Sequence, residues 1–402
     1  MSLPTPSRPT RPARRTAALA GAALATLLAA ACGGGGGETP VPPSGGERAL
    51  AYSEGAIDGF GSVIVNGVRF DDDAASVEGE DGRLGSRNDL RLGMTVELEG
   101  DNLNRTSATG RALRIRHSAQ IVGPVQSVDV ANSRLVVLGQ PVNVGERTVF
   151  GESIGSLGAI QVGDVVAVYG QMQGSDSYRA TRIHGATSVA DYRLRGMLDS
   201  LDTAAMTFTV NGATVSYAPL ASGGAPSGDD FRRCVQLRLE TAAVANVWQA
   251  TGMRPCPRKM DDGAVAQLRG MVTAFTSPAA FEVNGISVDA SNAAFPDGTA
   301  ELRLGAAVEV EGTVRSGTVV ASKVGMEDRR VGDRLFELHG LVETPDANQR
   351  RFMLRGVTVR WGDATQFKDG TAARLLAGAR VEVKGRLSSD RSQLDAARIE
   401  FK

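Results

Sequence analysis

The sequence predicts an all-β chain: a tandem array of five small antiparallel β-barrels behind an N-terminal address and a tether. Three observations predict it. A strand-rich unit recurs five times after residue 50, hairpin signals stand at matching places inside the copies, and little room is left between strands for a long helix. The copies are clearest at their ends. A Gly-x-x-Val-x-Val/Leu-x-Gly run reads GMTVELEG from Gly93, GDVVAVYG from Gly163, GAAVEVEG from Gly305 and GARVEVKG from Gly378. A second run follows as ALRI from Ala112, ATRI from Ala180, ASKV from Ala321 and AARI from Ala396. A middle copy is divergent and keeps only the apolar positions, in Leu237–Thr241 and Ala250–Met253. The anchors Ala112, Ala180, Ala250, Ala321 and Ala396 lie 68 to 75 residues apart, the size of a small domain, so a string of domains is expected.

The N-terminus reads as a lipoprotein signal. Arg11, Arg14 and Arg15 precede an apolar run of 15 residues, Ala17 to Ala31, which is short for a membrane-spanning helix and ends in small residues before Cys32. Residues Leu28 to Cys32 resemble a lipobox, with Ala29 where Leu is usual, and Cys32 is the expected lipidation site. Ordinary cleavage with a free Cys32 and an uncleaved membrane anchor are the competing readings. The stretch Gly33 to Glu47 is too rich in glycine and proline to build a core and reads as a flexible tether. Gly33 stands where Asp would favour inner-membrane retention, so an outer-membrane lipoprotein, periplasmic or surface-facing, is expected.

Composition bounds the rest. Hydrophobic residues make up 42% and charged residues 22%, the balance of a folded chain. Lys and Arg number 44 against 45 Asp and Glu, which gives no net pull toward nucleic acid.

The fourth copy shows the unit best. Val265 to Phe275 reads as an opening strand, and Phe281 to Ala290 as a hairpin across Asn284-Gly285, a pair suited to a two-residue turn with both residues at positive φ. Matching hairpins start at Val63, Leu135, Phe208 and Phe352. Phe281, Val283, Ile286 and Val288 share one face, and Val308 and Val310 are expected to be buried with them. Five or six short strands in about 70 residues would leave open edges if flat; closure into an OB-like barrel removes them. The GFGSVIVNGVRF opening at Gly59, the LRLGMTVELEG run at Leu90 and the GRALRI close at Gly110 resemble the repeated domain of a bacterial envelope family described only as a domain of unknown function (DUF5666). The resemblance covers the first two copies well, the fourth and fifth moderately and the third poorly. It implies an OB-like barrel and no known activity, and it transfers no catalytic residue.

Chemical signals are sparse. His117, His184 and His339 are the only histidines; they read as solvated junction residues, and no metal cluster follows from their spacing. Asp71, Asp72 and Asp73, with Glu78 to Gly82, lack the alternation of a calcium loop and read as a solvated hairpin end. No phosphate loop is present, and no catalytic residue and no cofactor is expected. Arg114, Arg182, Lys323 and Arg398 repeat in the closing strands and are candidate contacts for an anionic glycan or lipid headgroup; a charge that discourages edge pairing is the plainer reading. Trp248 and Trp361 are the only tryptophans, so no repeated stacking platform is visible. Cys234 and Cys256, the remaining cysteines, are expected to form a disulfide in an oxidising compartment, with Cys234 aligned on Gly93, Gly163, Gly305 and Gly378.

The expected organisation is a signal peptide (1–31), a tether (32–50) and barrel repeats at 51–119, 120–190, 191–263 (the divergent copy), 264–332 and 333–402. Each repeat is expected to hold its own core. The expected function is a non-enzymatic binding or scaffolding array, held to the membrane by its N-terminal lipid, with an unidentified envelope protein or glycan as partner and no nucleic acid. The alternatives are an envelope enzyme with its site at a barrel junction, or a saccharide-binding module.

Overall fold

The hairpin turns organise each barrel, because all five have both central residues at positive φ: Asn66-Gly67, Leu138-Gly139, Asn211-Gly212, Asn284-Gly285 and Arg355-Gly356. A computed structural model describes residues 50–79, 82–151, 153–174, 177–220, 223–228, 233–245, 247–256, 260–327, 335–389 and 391–402. Cys32 and the tether lie outside the described residues. The chain is all-β, and three-residue 3-10 turns such as Arg87–Asp89 and Leu157–Ala159 stand among the described residues.

In the second copy, Ile121–Asp129 pairs with Arg134–Val137, which pairs with Gln140–Phe150. That strand runs parallel to the closing strand Ser177–Gly185, whose other neighbour Val165–Gln173 returns to Ile121–Asp129. This order, one-two-three-five-four-one with a parallel three-five contact, is a closed OB-like barrel. The same circuit is closed by Ala51–Phe60, Val63–Val65, Val68–Asp71, Thr109–His117 and Thr95–Asn104. It recurs from Tyr192–Asp202 to Trp248–Pro255 and from Val265–Ser277 to Thr318–Met326. Between Phe336–Leu341 and Leu394–Phe401 the first strand is continued by Glu343–Asp346 before the hairpin.

Two glycine positions explain the repeat signature. The second glycine of the first run (Gly100, Gly170, Gly312, Gly385) sits opposite the anchor alanine at a β-bulge. An added Cβ there would strike the carbonyl of the residue preceding the alanine, so only glycine fits. In each opening strand a glycine (Gly55, Gly123, Gly196, Gly270, Gly340) leaves room for the first turn residue of its own hairpin.

Cys234 and Cys256 form a disulfide. The register corrects the alignment: Val235 faces Gly196 as Val96 faces Gly55, so Cys234 corresponds to Thr95 rather than Gly93. The bridge ties the start of the penultimate strand to the residue just past the closing strand. It closes a loop with sequence separation 22, worth about 3 kcal/mol in the chain-entropy model.

The barrels do not hang as a string of separate cores, which corrects the expectation above. From Leu50 onward the described residues belong to one compact unit. The first and fifth barrels share a continuous apolar cluster, the second and third share another, and the fourth barrel's core takes in Tyr52 of the first. Phe281, Val283, Val308 and Val310 are buried in that fourth core as expected. Barrels of this size are marginal alone, and here their outer faces pack on one another. The first barrel's opening strand runs parallel to the fourth's over Ala51–Glu54 and to the fifth's at Gly59–Phe60. Arg193–Leu194 of the third barrel pairs with Ile121–Val122 of the second.

Charge is buried at these joints. Asp58 accepts hydrogen bonds from Arg147 at 2.8 Å and from Arg269 at 3.0 Å, which brings the first, second and fourth barrels together. Arg269, 5% exposed, also holds Glu309 at 2.6 Å, and Arg147 lies 4.1 Å from the Phe336 ring centroid in the fifth barrel. Asp58→Ala should therefore lower stability in urea by roughly 3 kcal/mol, since it removes one of the two carboxylates that face the buried Arg269, whereas Asp58→Leu with Arg269→Met should cost far less.

Candidate functional site: a basic groove between the first and last barrels

The hairpin turn residues serve as joints. Asn66 Nδ2 donates to the Gln267 carbonyl of the fourth barrel (3.2 Å), Asn211 Nδ2 to Tyr178 Oη of the second (2.8 Å), and Asn284 Nδ2 to Glu54 of the first (3.1 Å). The fifth barrel departs from this pattern. Arg355, at φ 49°, takes the place of the asparagine, a conformation that arginine adopts at a cost. Its Nε donates to the His339 carbonyl at 2.8 Å and its guanidinium stands 4.9 Å from the Phe60 ring centroid of the first barrel.

Arg355 lines a groove of about 970 Å³ with Arg87 and Arg91 from the first barrel and His339, Arg380 and Lys402 from the fifth. Asp73 and Glu343 are the carboxylates in the lining. Arg87 is already paired with Asp73 and Asp72, and Lys402 with Glu400 at 2.7 Å and Glu382 at 2.9 Å. Arg91 donates to the carbonyls of Asn88 and Leu90. Among the described residues, Arg91, Arg355 and Arg380 have no carboxylate partner. Burial, with the like charges of Arg87 and Arg91, pulls the Arg355 guanidinium below its ordinary value against the opposing pull of Asp72. The groove therefore gathers more cationic than carboxylate side chains in its lining.

Beside it, His339 Nε2 lies 2.7 Å from Glu337 Oε1 and 3.5 Å from Glu382 Oε2, a grouping of three metal-type ligands. Arg69 and Lys384 already hold Glu337, at 2.6 and 3.3 Å, and Lys402 holds Glu382. Burial alone would push the Glu337 carboxyl up, yet the hydrogen bonds from His339 and Arg69 and the nearby cations keep it at about 2. The set is an ion-pair ladder, with its carboxylates committed to cations rather than open to a metal.

The four basic residues singled out in the closing strands are not brought together. Arg114 pairs with Glu99 and Glu78, Lys323 with Glu311 and Arg398 with Glu400. Arg182 is 5% exposed and donates to the Leu92 carbonyl of the first barrel at 3.1 Å, so it is an inter-barrel contact. Asp72 is likewise buried, beside Arg87, which corrects the solvated hairpin end at that residue, whereas Asp71 and Asp73 are exposed as expected.

Two histidines also depart from expectation. His117 and His184 flank Tyr169 where the first and second barrels meet, with ring centroids 6.4 and 5.8 Å from it, and burial lowers both pKa values. They are junction residues, half-buried rather than fully solvated. Burial, then Arg182 and Arg91, takes His184 to about 4. An unfolded histidine takes up its proton near pH 6.5, so below that pH the unfolded chain binds protons that the fold refuses. The stability present above about pH 6.5 is then lost as pH falls toward 4, by up to roughly 2 to 3 kcal/mol for His184. Urea midpoints at pH 7 and pH 5 should show this drop, and His184→Gln should flatten it.

Three segments match the family model of a domain of unknown function (DUF5666). They are residues 122–184, 269–325 and 339–400, in the second, fourth and fifth barrels. The first copy, which carries the resemblance noted in the sequence, is outside the matched segments, as is the third. No curated protein matches. Among solved structures, one titled "drosophila Unr CSD456" is 13% identical and covers 54% of this chain and 99% of its own, with a TM-score of 0.14, a similarity that carries no argument about function.

Proposed function

We propose that the chain is an exported, lipid-anchored envelope protein that binds an anionic ligand in the groove between its first and last barrels and catalyses no reaction. One observation carries this reading: Arg91, Arg355 and Arg380 face a common groove with no carboxylate partner among the described residues. Guanidinium groups left unpaired in a concave site favour a carboxylate or phosphate guest. The groove draws its cations from the first and fifth barrels, so the interlocked barrels act as a scaffold that presents one site. The Arg-rich start and the small residues before Cys32 support the anchor.

The His339, Glu337 and Glu382 grouping at the groove's edge is the observation that favours an enzyme as second reading. Its carboxylates are held by Arg69, Lys384 and Lys402, which supports binding over proton transfer.

A single experiment joins anchor and groove. Cys32→Ser should move the protein from the membrane to the soluble fraction, and that soluble form should be retained on an anionic resin in a salt-dependent manner. Adding Arg355→Gln and Arg380→Gln should abolish retention, whereas Lys323→Gln and Arg398→Gln should leave it unchanged.

A further inference from the structure

Within that reading, on which this inference rests, the cations of the groove are not alike. Arg91 and Arg355 lie within electrostatic reach of each other and have no carboxylate partner among the described residues, whereas Arg87 is paired with Asp72 and Asp73. Arg380 and Lys402 also line the groove. We propose that Arg91 and Arg355 form a subsite for a phosphoryl group, carried by a lipid headgroup or by a soluble phosphate ester.

The donors argue for a tetrahedral oxyanion. Arg91 turns Nη1 to the carbonyls of Asn88 and Leu90, and Arg355 turns Nε to the carbonyl of His339, which leaves their remaining N–H groups for a guest. Arg91 sits on the loop before the first barrel's penultimate strand and Arg355 on the fifth barrel's hairpin turn, so their forks come from separate elements. A carboxylate offers its oxygens in one plane; a phosphoryl group offers three in three dimensions, which suits donors from several directions.

The rest of the lining narrows the ligand further. It contains no phenylalanine, tyrosine or tryptophan, so a neutral sugar or a base finds no stacking face, and Arg355 itself covers Phe60. The cavity, about 970 Å³, is far larger than a phosphate and leaves room for the remainder of an ester, with Arg380 and Lys402 placed for a second negative group.

The test is titration calorimetry of the full-length protein with inorganic pyrophosphate, with citrate as the carboxylate comparison. Pyrophosphate should bind, and Arg355→Gln and Arg91→Gln should each weaken it at least tenfold while Lys323→Gln does not. Arg91→Gln lies on a loop, so it keeps the test informative if Arg355→Gln disturbs the turn. In a second arm, the full chain carrying Cys32→Ser is sedimented with phosphatidic acid or phosphatidylcholine vesicles. Binding to phosphatidic acid without binding to pyrophosphate assigns the group to a lipid headgroup; the reverse assigns a soluble ester. Citrate bound more tightly than pyrophosphate through the same arginines would overturn the phosphoryl assignment and leave the anion groove standing. Absence of binding to every anion, or equal loss in Lys323→Gln, would overturn both.

Discussion

The strand Ala51–Phe60 is hydrogen-bonded to four others, two in its own barrel and the opening strands of the fourth and fifth barrels. Much of the assembly depends on that arrangement. An opening strand in a free barrel has its neighbours inside the circuit, whereas this one also shares its edges with two other barrels. Asp58 on the same strand is half-buried against Arg147 and the buried Arg269, so the backbone joint and the charge joint coincide. Buried ion pairs add little net stability, but removing one partner is costly, which makes such a joint specific to one arrangement of barrels.

The repeat supplies the means of assembly as well as the fold. The opening-strand glycine admits a side chain from its own hairpin turn, and in three barrels that side chain is an asparagine reaching a neighbouring barrel. In the second barrel the position holds Leu138, which is fully buried. In the fifth it holds Arg355, which faces the groove. One position thus serves as joint, core and candidate site in different copies, and the groove forms because the fifth barrel docks on the first through the strand that organises the assembly.

The elements most legible in the sequence were those with local causes. The Asn-Gly turns predicted the hairpins, the Gly and Ala runs predicted the last two strands, and the pair of cysteines predicted the bridge. Alignment of Cys234 slipped because the third copy has lost the glycines that anchor the others, and only strand register shows that it matches Thr95. Asp58, Arg147 and Arg269 were invisible because a charge in an alternating strand looks like a solvent-facing residue until another barrel covers it. His339 and Glu382 are 43 residues apart and meet only across paired strands. Arg355 did leave a signal: an arginine where three copies have asparagine at a positive φ turn breaks a local rule, and such breaks mark functional or strained places.

Native-state hydrogen exchange of the amides in Ala51–Phe60 tests the central claim most directly, because the joint predicts how that strand opens. If the strand organises the assembly, its paired amides exchange only through global unfolding, with the slowest amides of the fourth and fifth barrels. Exchange of the strand through an opening of the first barrel alone, at a free energy well below that of Val165–Gln173 in the second, would contradict the account.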